Sequence, residues 1–523
     1  MKSKTIFKIL SILMIVAFLL ATVNISSYAA LTSSSTGSIT ITGLEKGVTA
    51  YAYRIATVNV DDSTNSPETP MYSWVDEVET WLESSDYSDY VDIDVFAELD
   101  TTEDADELAE FYSAITNAIV AGSINITESG TQTTSGTADY PITTEESVTF
   151  SDMSMGLYVI YITGGYQVYS PVVAQVVPEY ASGSWSVSSV SAVAKAEAVG
   201  ISKTLDSDTT SVTSGDTLSY TITADVMTYD SSAVNKTYKI TDIYGSGLSI
   251  DTSDITVYGV DAQGNETELT INTDYTISSG TDSDGNSYFT VNFVYDNISS
   301  YSSVKITYTA TINLGAGLDY TNYATLTYSS DPYADDDNQV DIGGDDEEDD
   351  DEDTKVIIYL YGIEITTTDS STGAAITSES TFQLYDEDGN LLYFYLEDGV
   401  YYLVSSDYTG ATTDLKTTSG VLNIYGLSTG TYTLKQTSAP DGYVLNTTEK
   451  KLTITDDYDS DGNEGQDGII DGDTDEILSV IFTNGEGYTL PTTGGIGIAL
   501  FTIAGLVLIA YGIRLGTKKE KED

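Results

Sequence analysis

Tyr238-Lys239-Ile240-Thr241-Asp242 alternates side chains with a period of two. Tyr238, Ile240 and Asp242 share one face of a strand, and Lys239 and Thr241 share the other. Two more segments have this form. Ile201-Ser-Lys-Thr-Leu205 puts Ile201, Lys203 and Leu205 on one face, and Asn322-Tyr-Ala-Thr-Leu326 does the same for Asn322, Ala324 and Leu326. Each carries one polar group on an otherwise apolar side. The residues around them, about 199 to 332, are almost entirely strands of Thr, Val, Ile and Tyr, with turns such as Asp284-Gly285-Asn286 and no helix signal. That pattern specifies an Ig-like β-sandwich. It sends Lys203, Asp242 and Asn322 inward, where they must satisfy one another or cost on the order of several kcal/mol.

Two chemistries meet that demand. One is a buried Lys203–Asp242 ion pair bonded to the asparagine. The other is covalent. Burial lowers the lysine pKa and raises the aspartate pKa, so a neutral amine can face a protonated carboxyl. The acid polarises the Asn322 carboxamide, Lys203 attacks, and ammonia leaves. The three segments resemble the lysine, aspartate and asparagine motifs of isopeptide-forming fimbrial domains, over the whole of 199–332. The resemblance implies a Lys203–Asn322 cross-link promoted by Asp242, with no cofactor.

Outward from this domain the chain stays rich in strands. Residues 30–198 open with the alternating Gly37-Ser-Ile-Thr-Ile-Thr-Gly43 and close with Gly156-Leu-Tyr-Val-Ile-Tyr-Ile162 and a strand at 168–177. Between them lie helical patterns at 71–82 and 102–121. In the second, Leu108, Phe111, Ile115 and Ile119 form one apolar face. A β-rich domain with inserted helices fits, and it resembles the N-terminal domain of sortase-assembled backbone pilins. Residues 333–354 read as a linker, because nine consecutive acids from Asp345 to Asp353 repel one another. Residues 355–487 read as a second, differently wired sandwich. The fold class is therefore mainly β, in tandem Ig-like domains.

In the third domain Tyr432-Thr-Leu-Lys-Gln-Thr-Ser-Ala-Pro-Asp-Gly-Tyr443 resembles the E-box of collagen-adhesin B-type domains. Tyr361-Gly-Ile-Glu-Ile-Thr-Thr-Thr-Asp369 and Val480-Ile-Phe-Thr-Asn484 match that family too. Its isopeptide uses a lysine, a glutamate and an asparagine, and the matching positions here are Thr367, Gln436 and Asn484. The nucleophile and the acid are both replaced. The expectation is a neutral hydrogen-bonded trio without a bond, with a Thr367–Gln436 ester as the alternative.

The two ends carry processing signals. Lys2, Lys4 and Lys8 precede an apolar stretch from Ile9 to Val23, and Ser27 and Ala29 supply small residues for cleavage after Ala29. Residues 1–29 thus read as a secretory signal peptide, the alternative being an uncleaved anchor. Residues 488–523 contain Leu490-Pro491-Thr492-Thr493-Gly494, an apolar run of 18 residues from Ile496 to Ile513, then Arg514, Lys518, Lys519 and Lys521. The run is long enough to cross a bilayer as a helix, with the cations on the cytoplasmic side. The order resembles the cell-wall sorting signal of Gram-positive surface proteins. This implies a sortase cutting the Thr493–Gly494 bond and passing the Thr493 acyl group to peptidoglycan or to a lysine of another subunit.

Charge and composition narrow the partners. The chain has 19 Lys+Arg against 82 Asp+Glu, a net charge of −63. Such a surface repels nucleic acid and anionic lipid. With no cysteine and no histidine, disulfides, Ser-His-Asp and Cys-His catalysis and His-based metal sites are all excluded. Asp459, Asp461, Asn463, Asp467 and Asp471, between Asp457 and Asp475, offer oxygen ligands for Ca²⁺. The twelfth position counted from Asp457 lacks the glutamate of an EF-hand, so no metal is assigned.

Twelve cationic side chains remain between Ala30 and Thr493. Lys195 follows Trp185, Val190 and Val193 at the junction of the first two domains. It resembles the pilin-motif lysine that accepts the threonine of the next subunit, with Val193-Ala194 where the family has Tyr-Pro. The alternative is a solvated linker lysine. The whole reading is a secreted backbone pilin that is no enzyme toward external substrates. Its partners are a sortase, identical subunits and peptidoglycan, and a host or matrix surface is left open. A monomeric wall-anchored adhesin is the competing class, and a surface hydrolase using paired acids finds no supporting constellation.

Overall fold

The computed structural model describes residues 30–487 apart from 100, 182, 198, 207–211, 230, 315–318, 335–338, 345–353 and 455–476, together with the helix at 494–519. The leader, the acidic run, the candidate Ca²⁺ loop and Leu490–Thr493 lie outside the described residues. The chain divides into two compact units, Met1–Tyr359 and Leu360–Asp523.

The first unit begins with a three-layer domain. One sheet orders Val190–Val193, Thr36–Leu44 and Glu146–Ser154. The other orders Ser66–Trp74, Thr49–Asp61, Gly156–Thr163 and Val172–Val176, with Gly130–Thr133 also on Thr49–Asp61. Alternation along Gly156–Thr163 explains why that strand is buried on both faces. Tyr158, Ile160 and Ile162 enter the core between the sheets, with Ile39, Ile41 and Phe150. Leu157 and Val159 enter a second core under the helices. There the helix Ala105–Val120 places Leu108, Phe111, Ile115 and Ile119, the face expected from their spacing. The helix expected at 71–82 is shorter. Residues up to Trp74 belong to the strand Ser66–Trp74, and the helix is Asp76–Leu82. Met71 and Trp74 fall at helical spacing from Val78, but backbone pairing with Thr49–Asp61 decides their state.

The middle domain is a sandwich of two six-stranded sheets. The first orders Ile201–Leu205, Thr217–Asp225, Ser303–Ile312, Thr256–Val260 and Glu266–Glu268, with Leu248–Ile250 also on Ser303–Ile312. The second orders Tyr275–Thr281, Ser287–Phe293, Tyr238–Tyr244, Asp319–Ser329 and Gln339–Gly343. A one-turn helix, Tyr295–Ile298, and a 3₁₀ turn at Thr252–Asp254 are small exceptions to the all-strand expectation. The turn at Asp284 is built by Asp282, whose Oδ1 accepts from the amides of Asp284 (2.9 Å) and Asn286 (2.8 Å). Gly285 there has φ +92°, which only glycine adopts without strain.

The boundaries drawn at 333 and 355 move. Gln339–Gly343 and Lys355–Tyr359 both pair antiparallel with Asp319–Ser329, one beyond the other along the same strand. Segments that read as linker and as the start of the third domain therefore complete the middle sheet. After that strand the chain also docks on the first domain. Asp331 is buried and its Oδ2 accepts from the hydroxyls of Tyr161 and Thr163. Tyr328 donates to the Tyr166 carbonyl, and the buried Tyr333 to Ser113 Oγ at 3.4 Å.

The second unit is a sandwich of five and four strands. The five-stranded sheet pairs Tyr361–Asp369 in parallel with Ile477–Asn484, and the four-stranded one is centred on Thr381–Tyr385 and Gly430–Ser438. Phe382 and Phe482 meet edge-to-face at 5.0 Å across its core. A helix covers Gly494–Lys519. The bilayer crossing expected of it is not supported: among the described residues, no helix is long and apolar enough to cross a membrane.

Candidate cross-link site

Lys203, Asp242 and Asn322 are all buried in the middle sandwich. Along Tyr238–Tyr244 each second residue points inward, which carries Asp242 into the core on a strand flanked on both sides. Asp242 stands opposite Ala324, and Asn322 opposite Tyr244, so the two are diagonal neighbours on one face. Lys203 comes from the edge strand of the facing sheet. Its Nζ donates to Asp242 Oδ2 in an ion pair whose side chains have no solvent access.

Tyr308 joins the group. Its hydroxyl accepts from Lys203 Nζ at 2.6 Å and from Asn322 Nδ2 at 3.0 Å, and donates to Asp242 Oδ2 at 2.8 Å. The Tyr308 ring stacks on its cross-strand partner Tyr220 at 5.3 Å and 11°, with the Phe289 edge against it at 5.2 Å. The ammonium lies 5.1 Å and 5.3 Å from the centroids of Tyr220 and Tyr308. Asp242 Oδ1 and Asn322 Oδ1 are buried without a hydrogen-bond partner.

Burial works against both charges of the pair. It pulls the Lys203 amine below its ordinary range and pushes the Asp242 carboxyl up, each against the pull of its partner. The Tyr308 phenol is held well above its usual range, first by burial and then by the Asp242 charge. A proton passing from Lys203 to Asp242 removes both buried charges at once. It also gives the carboxyl a donor, which an orphaned amide oxygen lacks.

The third-domain trio separates. Gln436 and Asn484 form a reciprocal amide pair, with Nε2 to Oδ1 at 3.1 Å and Nδ2 to Oε1 at 2.7 Å. Asn446 N also donates to Gln436 Oε1, and Asn484 to the Val444 carbonyl. Thr367 does not join them. Its hydroxyl donates to the carbonyls of Ile376 (3.0 Å) and Gly420 (3.1 Å), because its short side chain reaches only the adjacent loops. The Thr367 hydroxyl is thus turned to backbone carbonyls and not to either amide. A peptide map of the whole chain is accordingly expected to show residues 367, 436 and 484 on separate peptides, and this domain is expected to unfold before the middle one on heating. A 367–436 or 367–484 joined peptide contradicts both.

Lys195 lies between the strands Val190–Val193 and Ala196–Glu197, and its carbonyl accepts from Ser170 N at 3.0 Å. Its backbone is thus held by the first domain and its side chain is half-buried. The sequence reading missed Tyr308. The signal was present: Val304, Ile306, Tyr308, Ala310 and Ile312 form the inward face of Ser303–Ile312.

Comparison with known proteins places these domains. Residues 214–332 match the family model of the Gram-positive pilin backbone subunit 2, Cna-B-like domain, and 362–464 match the SpaA prealbumin-like fold domain. Both models describe structural domains. The chain as a whole is similar to Gram-positive backbone pilins. The trypsin-resistant surface T6 protein of Streptococcus pyogenes serotype M6 is 28% identical over 290 residues, 52% of this chain and 48% of that protein. The match therefore spans about half the length of that curated relative. The solved T6 backbone pilin of serotype M6 Streptococcus pyogenes, described as a modular three-domain structure, has the same fold at a TM-score of 0.55. It is 20% identical, with 81% of each chain covered.

Proposed function

We propose that this chain is the structural backbone subunit of a pilus on a Gram-positive cell surface. A sortase cuts after Thr493 and joins that carbonyl to Lys195 of an identical subunit, and the finished fibre is passed to peptidoglycan. The observation that carries the reading is the buried Lys203–Asp242–Asn322 group, of which Asp242 and Asn322 lie in the segment 214–332 that matches the pilin-backbone domain model. An exported shaft without cysteines needs another covalent staple. These three side chains can supply it: the neutral Lys203 amine attacks the Asn322 carboxamide, protonated Asp242 polarises its oxygen, and ammonia leaves. The chemistry is single-turnover and on the chain itself.

The test is an immunoblot of boiled cell-wall extract from the native host. A ladder that survives denaturation is the expected result. A single wall-linked band overturns the polymer and leaves a monomeric surface adhesin.

A further inference from the structure

We propose that Tyr308 is a catalytic residue of the cross-linking reaction, relaying a proton from the Lys203 amine to the departing amide nitrogen of Asn322. This rests on the Lys203–Asn322 bond proposed above. The basis is geometric: the nucleophile Nζ and the leaving group Nδ2 both donate to the one Tyr308 oxygen, at 2.6 Å and 3.0 Å. The same hydroxyl donates to Asp242 Oδ2 at 2.8 Å.

The proton inventory shows what such a group must do. The reaction starts from a neutral amine and a protonated carboxyl. The Nζ lone pair forms the bond to the Asn322 carbonyl carbon, and the C=O electron pair moves onto Oδ1, which takes the Asp242 proton. The adduct then has one proton too many on Nζ and one too few on Nδ2 to leave as ammonia. Asp242 has already given its proton to the oxygen. The Tyr308 oxygen accepts from Nζ while its own proton passes to Nδ2. The C–N bond breaks with its electron pair on the ammonia nitrogen, Oδ1 returns its proton to Asp242, and both Asp242 and Tyr308 end unchanged.

A relay of this kind never forms a free phenolate, which suits a phenol held far above its usual range by burial. It also needs an oxygen that does not wander. The ring is fixed between the Tyr220 face and the Phe289 edge, and such positioned acid–base groups typically contribute about 10²–10⁴-fold.

The experiment follows cell-free synthesis of the whole chain, sampling by peptide map the fraction in which residues 203 and 322 are joined. Tyr308→Phe keeps the ring and removes the relay, and joining is expected to slow about 10²-fold or more. Difluorotyrosine at 308 keeps both ring and hydroxyl but makes the phenol more acidic. A changed joining rate is expected there, which a purely structural role would not produce. The cost to the fold is read separately, as thermal unfolding of Tyr308→Phe in an Asn322→Ala chain that cannot react. Wild-type joining with unchanged rates in both variants overturns the relay and leaves the cross-link standing. A wild-type chain that never joins overturns the cross-link itself, and the relay with it.

Discussion

Asp242→Ala is expected to leave the chain at its full sequence mass, whereas the wild type is expected to be lighter by one ammonia. In the proposed reaction the carboxyl polarises the Asn322 carbonyl, whose oxygen is otherwise buried without a hydrogen-bond partner. Its removal also strands Lys203, whose Nζ keeps the Tyr308 hydroxyl but loses its counter-charge. Breaking one side of a buried ion pair costs about 3–5 kcal/mol by itself. Loss of a cross-link closing a loop of this length costs about 4–5 kcal/mol if it acts as a disulfide does. Asn322→Ala separates the two, because it also forbids the bond while leaving the Lys203–Asp242 pair intact. Both variants are therefore expected at full mass, and both are expected to melt well below the wild type, Asp242→Ala the lower. Intact-mass spectrometry and calorimetry on the whole chain measure this. A wild-type mass equal to the sequence mass disproves the bond.

The sequence made the inward faces legible because a strand buries every second residue. Lys203, Asp242 and Asn322 interrupt apolar faces, and all three lie inside. Tyr308 obeys the same alternation but interrupts nothing, since a tyrosine on a core face reads as bulk. Its hydroxyl matters only because Tyr220 and Phe289 aim it, and those contacts are made across strands far apart in the chain. Gln339–Gly343 was hidden for another reason. Five residues with Gln339 and Asp341, just before an acidic run, carry no strand signal of their own. Their state is set by the open edge of Asp319–Ser329. Thr367 shows the limit of matching by position. The strand delivers it to the expected depth, but a threonine cannot span the distance a lysine would, and it settles on backbone carbonyls.

Lys195→Arg is expected to abolish the covalent ladder in wall extracts from the native host while leaving wall-linked monomer. Arginine keeps the charge and much of the stem, but its guanidinium stays protonated and does not attack an acyl-enzyme. Lysine too is almost fully protonated at neutral pH, so the sortase must supply the deprotonation. The expected phenotype follows from where tension would enter. In a fibre joined from Thr493 to Lys195, residues before 195 lie outside the covalent line between neighbouring joints. Load entering at Lys195 reaches Lys203 within a few residues, and a Lys203–Asn322 bond hands it to Asp319–Ser329 without passing through the sheets between. Asn322 lies on the strand that carries both Gln339–Gly343 and Lys355–Tyr359, so the load leaves through the segments that complete that sheet. The first domain, off this line, is held by Asp331 on Tyr161 and Thr163 and by Tyr328 on the Tyr166 carbonyl. Its backbone also grips Lys195 through Ser170, which fixes the place where a sortase would find the amine. The arginine variant keeps all of these contacts, so a lost ladder reports the missing nucleophile and not a misfolded domain. An unchanged ladder moves the acceptor to another lysine.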